Sequence, residues 1–327
     1  MTKLEVAMAE LRRWQEIVGL RTVAELNTIV RGGHATQLIM VVEALQERRI
    51  ASVADDIKAR NNRIVLLAGP SSSGKTTTCK RLAVQLGACG LRPQMLSLDD
   101  YFVNREDTPR DENGEYDFEC IEALDVAFFN EQLTALLNGE KVQLPRFDFH
   151  SGHRKIGDRE LQLMDHDVLV IEGIHALNPA LTPSIPLKEK YQLYVSALTT
   201  IKLDEKREIS KSDNRLLRRI IRDHKFRGYS ASETIRRWPS VRAGEEKWIF
   251  PFTENCDRMI NSALLYELAV LRHYVLPLLE QVPEGDPAYE TAWRLRQLVG
   301  FFEPITDKQI PLTSLLREFL GGSSFHY

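Results

Sequence analysis

Residues 64–78, IVLLAGPSSSGKTTT, leave this chain few choices of fold. An apolar run rich in branched side chains reads as a buried strand, and Cys79, Leu82, Ala83 and Leu86 then recur at helical spacing. Between them, Gly69-Pro70-Ser71-Ser72-Ser73-Gly74-Lys75-Thr76 fits the phosphate-loop pattern G-x-x-x-x-G-K-[ST] at every fixed position. Gly69 and Gly74 permit backbone angles that a side chain forbids, so consecutive N–H groups can turn inward toward phosphate oxygens. The motif assigns Lys75 to the β- and γ-phosphates and the Thr76 hydroxyl to magnesium, with the dipole of the following helix aimed at the same anion. Gly69, Ser71, Ser72, Ser73, Gly74, Lys75, Thr76 and Thr77 are thus expected to hold a nucleotide, with ATP and Mg2+ as cofactors.

The rest of the composition narrows the partners. A net charge of -3 and a pI near 6.3 give no global attraction to nucleic acid or an anionic membrane, so cationic function must be local. Cys79, Cys89, Cys120 and Cys256 are scattered without C-x-x-C spacing, the usage of reduced thiols in a cytoplasmic protein. The start lacks a signal-peptide core, and no apolar run approaches the ~20 residues that span a bilayer.

Residues 1–60 carry helical periodicity with a break at Arg31-Gly32-Gly33, an appendage whose bland role is packing or contact within a homo-oligomer. A kinase-sized unit is expected over 61–280 and a helical tail over 281–327, frayed at its GGSSFHY end. A second strand runs over 93–98 into Asp99-Asp100-Tyr101-Phe102, and an acidic pair at a strand's carboxyl end suits a catalytic carboxylate. Residues 104–119 are polar and turn-rich, a surface loop able to close over a substrate. Helical spacing spans 121–137; 142–149 alternates as a strand, with 159–163 as its hairpin partner. Residues 167–173 form a buried strand ending in Glu172, which would face the magnesium or its water shell. Further strands fall at 191–197 and 256–260, and helical spacing resumes over 264–279. Between them, arginines three and four apart run from Arg207 to Arg242, a set fit to neutralise charge during phosphoryl transfer. His150 and His153 lack a third ligand for a metal.

In this order the motifs resemble the uridine/cytidine kinase and phosphoribulokinase family of P-loop kinases, over roughly 63–274. Ser97-Leu98-Asp99-Asp100-Tyr101-Phe102 is similar to its S-x-D-S-F-Y segment, which implies that Asp99 is the base toward the acceptor hydroxyl and that Tyr101 lines the substrate. Tyr116-Asp117-Phe118 with Glu122-Ala123-Leu124-Asp125 resembles F-D-x-P-x-A-F-D, which implies a ribose-holding role for Asp117. Ile171-Glu172-Gly173-Ile174 matches the E-G-I motif. Residues 213–228 look like the arginine-bearing lid, with Arg219, Arg222 and Arg227 closing over the transferring group. Residues 145–154, PRFDFHSGHR, resemble the P-x-Y-D-F-x-x-H-S-R base-recognition hairpin, implying substrate roles for Phe147, Phe149, His153 and Arg154. There Phe147 replaces a tyrosine and the histidine is displaced by one, which bears on the choice of acceptor.

The resemblance implies an α/β P-loop kinase with a parallel sheet flanked by helices, plus the amino-terminal helices. Its expected reaction is phosphorylation of the 5′-hydroxyl of uridine or cytidine. A different small acceptor, such as a sugar phosphate or a pantothenate-like molecule, and a non-catalytic ATP sensor are the alternatives. Neither an N-K-x-D guanine motif nor L-S-G-G-Q is present.

Overall fold

The protein is described here from a computed structural model that covers residues 1–112 and 114–326. Its centre is β1 (Ile64–Ala68), buried at every position. Strands β2 (Arg92–Ser97), β5 (Asp167–Glu172), β6 (Lys190–Ser196) and β7 (Arg258–Asn261) join it in an all-parallel sheet of order β2-β5-β1-β6-β7. Successive side chains of a strand point to opposite faces, so β1 serves two cores. Val65 and Leu67 meet Ile50, Val53 and Ile57 of α3 (Ala35–Arg60) and Leu82 and Leu86 of α4 (Lys75–Ala88). Ile64, Leu66 and Ala68 face the opposite way, toward Phe129, Leu133 and Leu136 of α5 (Val126–Leu137). Gly69 ends β1 where a Cβ would lie 2.1 Å from the Val195 carbonyl oxygen, so only glycine lets the loop leave the sheet here.

A third core joins α2 (Val23–Arg31), α6 (Lys211–Arg227), α7 (Ala231–Trp248), α8 (Glu267–Glu280) and α9 (Tyr289–Gly300). The α/β class with flanking helices is as expected, and no helix among the described residues is long and apolar enough to cross a membrane.

Several boundaries differ from the sequence expectation. Thr22 and Glu25 form a capping box, so the amino-terminal helix breaks between α1 (Lys3–Val18) and α2 as well as at Gly32-Gly33. Helix α5 starts at Val126, because the Asp125 side chain accepts from the Phe128 amide, and Ile121–Ala123 is a 3-10 turn. The partner of β3 (Val142–Asp148) is β4 (His153–Leu161), not 159–163; its charged, exposed residues hide the strand period. At the tail the Lys80 ammonium donates to the His326 carbonyl, and Tyr327 lies outside the described residues. Asn113, within the expected closing loop, also lies outside them.

Candidate active site

The carboxyl ends of β1, β2 and β5 lie side by side, and the register pairs Leu67 and Ser97 with Glu172. The phosphate loop is therefore bordered by Glu172 and, just past β2, by Asp99. In the loop, Ser72 sits at φ 58° and Gly74 at φ 83°. Three successive carbonyls are taken from outside. Arg215 Nη1 donates to Ser71 O at 3.1 Å, Arg218 Nη1 to Ser72 O at 3.4 Å, and the Ser262 hydroxyl to Ser73 O. With its oxygens held outward, the loop has the otherwise unpartnered hydroxyls of Ser72 and Ser73 left for an anion, while the Ser73 amide is held by the Pro70 carbonyl at 3.2 Å.

Both clamping arginines are buried and carry their own counter-charges. Arg215 makes a double contact with Glu245 at 2.5 and 2.7 Å, and Arg218 pairs with Glu267 at 2.5 Å. Glu245 also accepts from the Ser71 amide at 3.0 Å. Pairing of this kind keeps buried charge tolerable in the low-dielectric interior.

The remaining arginines of α6 face the cleft. Arg219, Arg222 and Arg227 surround the buried carboxylate of Asp223 at 3.2, 2.9 and 3.6 Å, and Arg219 donates to the Ser71 hydroxyl at 2.7 Å. Burial and repulsion from Arg222 lower the pKa of Arg219 and Arg227. Lys75 Nζ donates to Pro70 O at 3.2 Å. Thr76 Oγ1 stands 3.5 Å and Ser97 Oγ 3.4 Å from Glu172 Oε1. A hydroxyl and a carboxylate so placed fit a magnesium ion that keeps most of its ligands as phosphate oxygens and water. The inward amides, Lys75 and Arg219 fit a triphosphate.

Asp99 is solvent-exposed past the end of β2, and enclosure by the protein around it raises its carboxyl above the usual range, against the pull of Lys75, Arg227 and Arg222. The same enclosure and the charge of Asp99 push Glu172 up to about 7. Asp100 does different work, accepting the Phe147 amide at 3.2 Å and so fixing the β3–β4 hairpin to the end of β2.

The acceptor-side residues divide. Phe147 and the exposed Phe149 form an aromatic cluster with Phe102, with ring centroids 5.1–6.3 Å apart. Tyr101 is instead a core residue: it is 1% exposed and its hydroxyl donates to Gln132 at 2.7 Å. His153 sits at the hairpin tip against Glu106 at 3.3 Å, and Arg154 is pinned to Asp125 at 2.8 Å. The Asp117 carboxylate accepts the Glu119 amide at 3.0 Å. The carboxylate brought to the cleft from that turn is Glu119, pushed up to about 7 by burial, with Arg219 and Lys75 pulling it down and Glu245 and Asp99 pushing it up. Sequence reasoning missed Glu119, Phe102, Glu245 and Ser262; Glu119 alone left a signal, since it precedes Asp125 by the six positions that separate the two aspartates of F-D-x-P-x-A-F-D.

The model of the phosphoribulokinase/uridine kinase family matches residues 64–266. The chain is similar to the uridine kinase of Halobacterium salinarum, 25% identical over 236 residues that cover 72% of this chain and 92% of that one. It is 31% identical to the uridine kinase of Staphylococcus aureus over 199 residues, 60% of this chain and 86% of that one. Among solved structures it is similar to a possible uridine kinase from Bacillus stearothermophilus, with a TM-score of 0.43 and 20% identity over 65% of this chain and 98% of that one.

Proposed function

For a chain that belongs to the phosphoribulokinase/uridine kinase family, and is therefore a kinase, we propose that the reaction is ATP- and Mg2+-dependent phosphorylation of the 5′-hydroxyl of uridine or cytidine. The observation that carries the reading is the meeting of Asp99, just past β2, with the phosphate loop and with the charges of Lys75, Arg222 and Arg227, which pull on its carboxyl. Such an arrangement joins a proton acceptor to the cations that phosphoryl transfer requires. Uridine kinases of similar sequence support the choice of acceptor.

In this reading the loop amides, Lys75 and Arg219 hold the triphosphate, and Thr76 with Glu172 holds magnesium. The bound metal nucleotide supplies the phosphoryl group and charge neutralisation. Asp99 orients the acceptor hydroxyl and takes its proton, and its raised pKa strengthens it as a base. Glu119, rather than Asp117, anchors the sugar hydroxyls, because it is the carboxylate of its turn that lies in the cleft. Phe102, Phe147 and Phe149 form the wall against which a flat base can stack. Arg222 and Arg227 leave Asp223 to meet the transferring group, a change of partner that makes charge stabilisation depend on substrate.

A sugar phosphate or a pantothenate-like acceptor is the second reading. It is favoured by Phe147, whose ring offers no hydroxyl to discriminate among bases. ADP release with Mg-ATP across uridine, cytidine, adenosine, ribulose 5-phosphate and pantothenate decides between them. The first reading expects turnover with a pyrimidine nucleoside, and turnover confined to a non-nucleoside acceptor would replace it.

A further inference from the structure

Residues 267–327 lie beyond the family match, yet their end packs on the first turn of the phosphate-loop helix. Ser314, Leu315, Leu316 and Phe319 are fully buried. Leu315 presses on Gly74 so closely that a Cβ there would come within 2.7 Å of it, and Phe319 lies 5.2 Å beneath the Arg218 guanidinium. Ser314 bonds Glu43 on α3, and Lys225 holds the Leu320 carbonyl. These anchors deliver one half-exposed side chain, Glu318, to the amino terminus of α4. Its Oε2 accepts from the Thr77 amide at 3.1 Å and from the Thr77 hydroxyl at 2.6 Å.

Thr77 follows Lys75 and Thr76 directly. Its N–H belongs to the first helical turn, where no carbonyl within the helix can satisfy it and an anion is favoured. A carboxylate resembles a phosphate in the two properties such donors recognise, negative charge and acceptor oxygens. Two anions sharing these donors would also repel each other inside a walled cleft.

We infer that Glu318 is an internal competitor for the donor nucleotide: its carboxylate must release Thr77 before the phosphate chain of ATP can take those donors, so the tail sets nucleotide affinity. The inference rests on the reading of the loop as the ATP site. The anchored backbone stays in place, and rotation of the Glu318 side chain suffices to open the position.

Calorimetric titration of Mg-ATP and of magnesium with inorganic triphosphate, without acceptor, tests this on the whole chain and on Glu318→Gln and Glu318→Ala. The glutamine variant keeps the shape of the side chain and removes only its charge, and thermal unfolding checks that both variants fold. Both ligands should bind the variants about tenfold more tightly, the scale of one charged contact at a helix terminus. Equal or weaker binding of both ligands to folded variants would overturn the inference. So would weaker ATP binding with triphosphate unchanged, which would make Glu318 a grip on the nucleoside part of the donor. If the parent and both variants bind neither ligand, the ATP-site reading itself falls and takes the inference with it.

Discussion

Asp99 and Asp100 are adjacent and chemically identical, yet their surroundings differ. Asp99 stays exposed, and Asp100 turns back to hold the Phe147 amide. Asp99→Asn should lower kcat by roughly 10²–10⁴-fold, the usual worth of a positioned proton acceptor, while leaving ATP binding in place. Asp100→Ala should instead cost about 1–3 kcal/mol in chemical denaturation, by leaving a part-buried amide without its acceptor. Glu119 makes a pH prediction. Its folded pKa of about 7 lies above its ordinary 4.5, so folding favours the protonated form. That favourable contribution is complete below the ordinary value and is lost as pH rises through 7. The parent should therefore melt below Glu119→Gln above pH 7, with the difference shrinking toward pH 5; a difference independent of pH would refute the shift. The place of Asp99 was legible because it follows a strand end. Glu119 left only its six-position spacing to Asp125 as a signal, and the fold adds that Asp117 is occupied with a backbone amide.

Helix α6 shows what spacing can and cannot tell. A run of arginines three and four apart signals shared faces, but not which face meets the cleft. Arg215 and Arg218 are core residues that hold the loop carbonyls, whereas Arg219, Arg222 and Arg227 share Asp223. Arg218→Ala would strand Glu267 in the interior and should destabilise the chain by about 3–5 kcal/mol. Arg222→Ala leaves Asp223 paired with Arg219 and Arg227, so it should leave the melting temperature near that of the parent and lower kcat about 10²-fold, more than it raises the acceptor KM. Equal kcat in that variant and the parent would remove Arg222 from the transfer step. The strand β4 was illegible for a related reason: in a two-stranded hairpin with most positions exposed, apolar alternation is not needed.

At the scale of the whole molecule, the buried strand, glycine turn and helix were readable because local sequence alone produces them. The closure of the chain was not. Leu315 and Leu316 precede, and Phe319 and Leu320 lie in, a one-turn helix followed by two glycines, which reads as a loose end, and Gly74, on which Leu315 packs, lies far away in sequence. All four are at most 2% exposed, each worth about 1.5–3 kcal/mol of burial. A chain ending at Ile310 should therefore lose its cooperative thermal transition, and a sharp transition near that of the parent would show the tail to be dispensable. Helix α3 is likewise a layer over the sheet, so we expect residues 1–60, 61–280 and 281–327 to unfold together. The most direct test of the central claim is transfer of the γ-phosphate from Mg-ATP to uridine or cytidine, with the product identified, in the parent and Asp99→Asn side by side. The account predicts the nucleoside 5′-monophosphate from the parent, and an Asp99→Asn protein that still binds ATP but forms almost none. Tight ATP binding without a phosphorylated nucleoside, or an Asp99→Asn protein as fast as the parent, would contradict it.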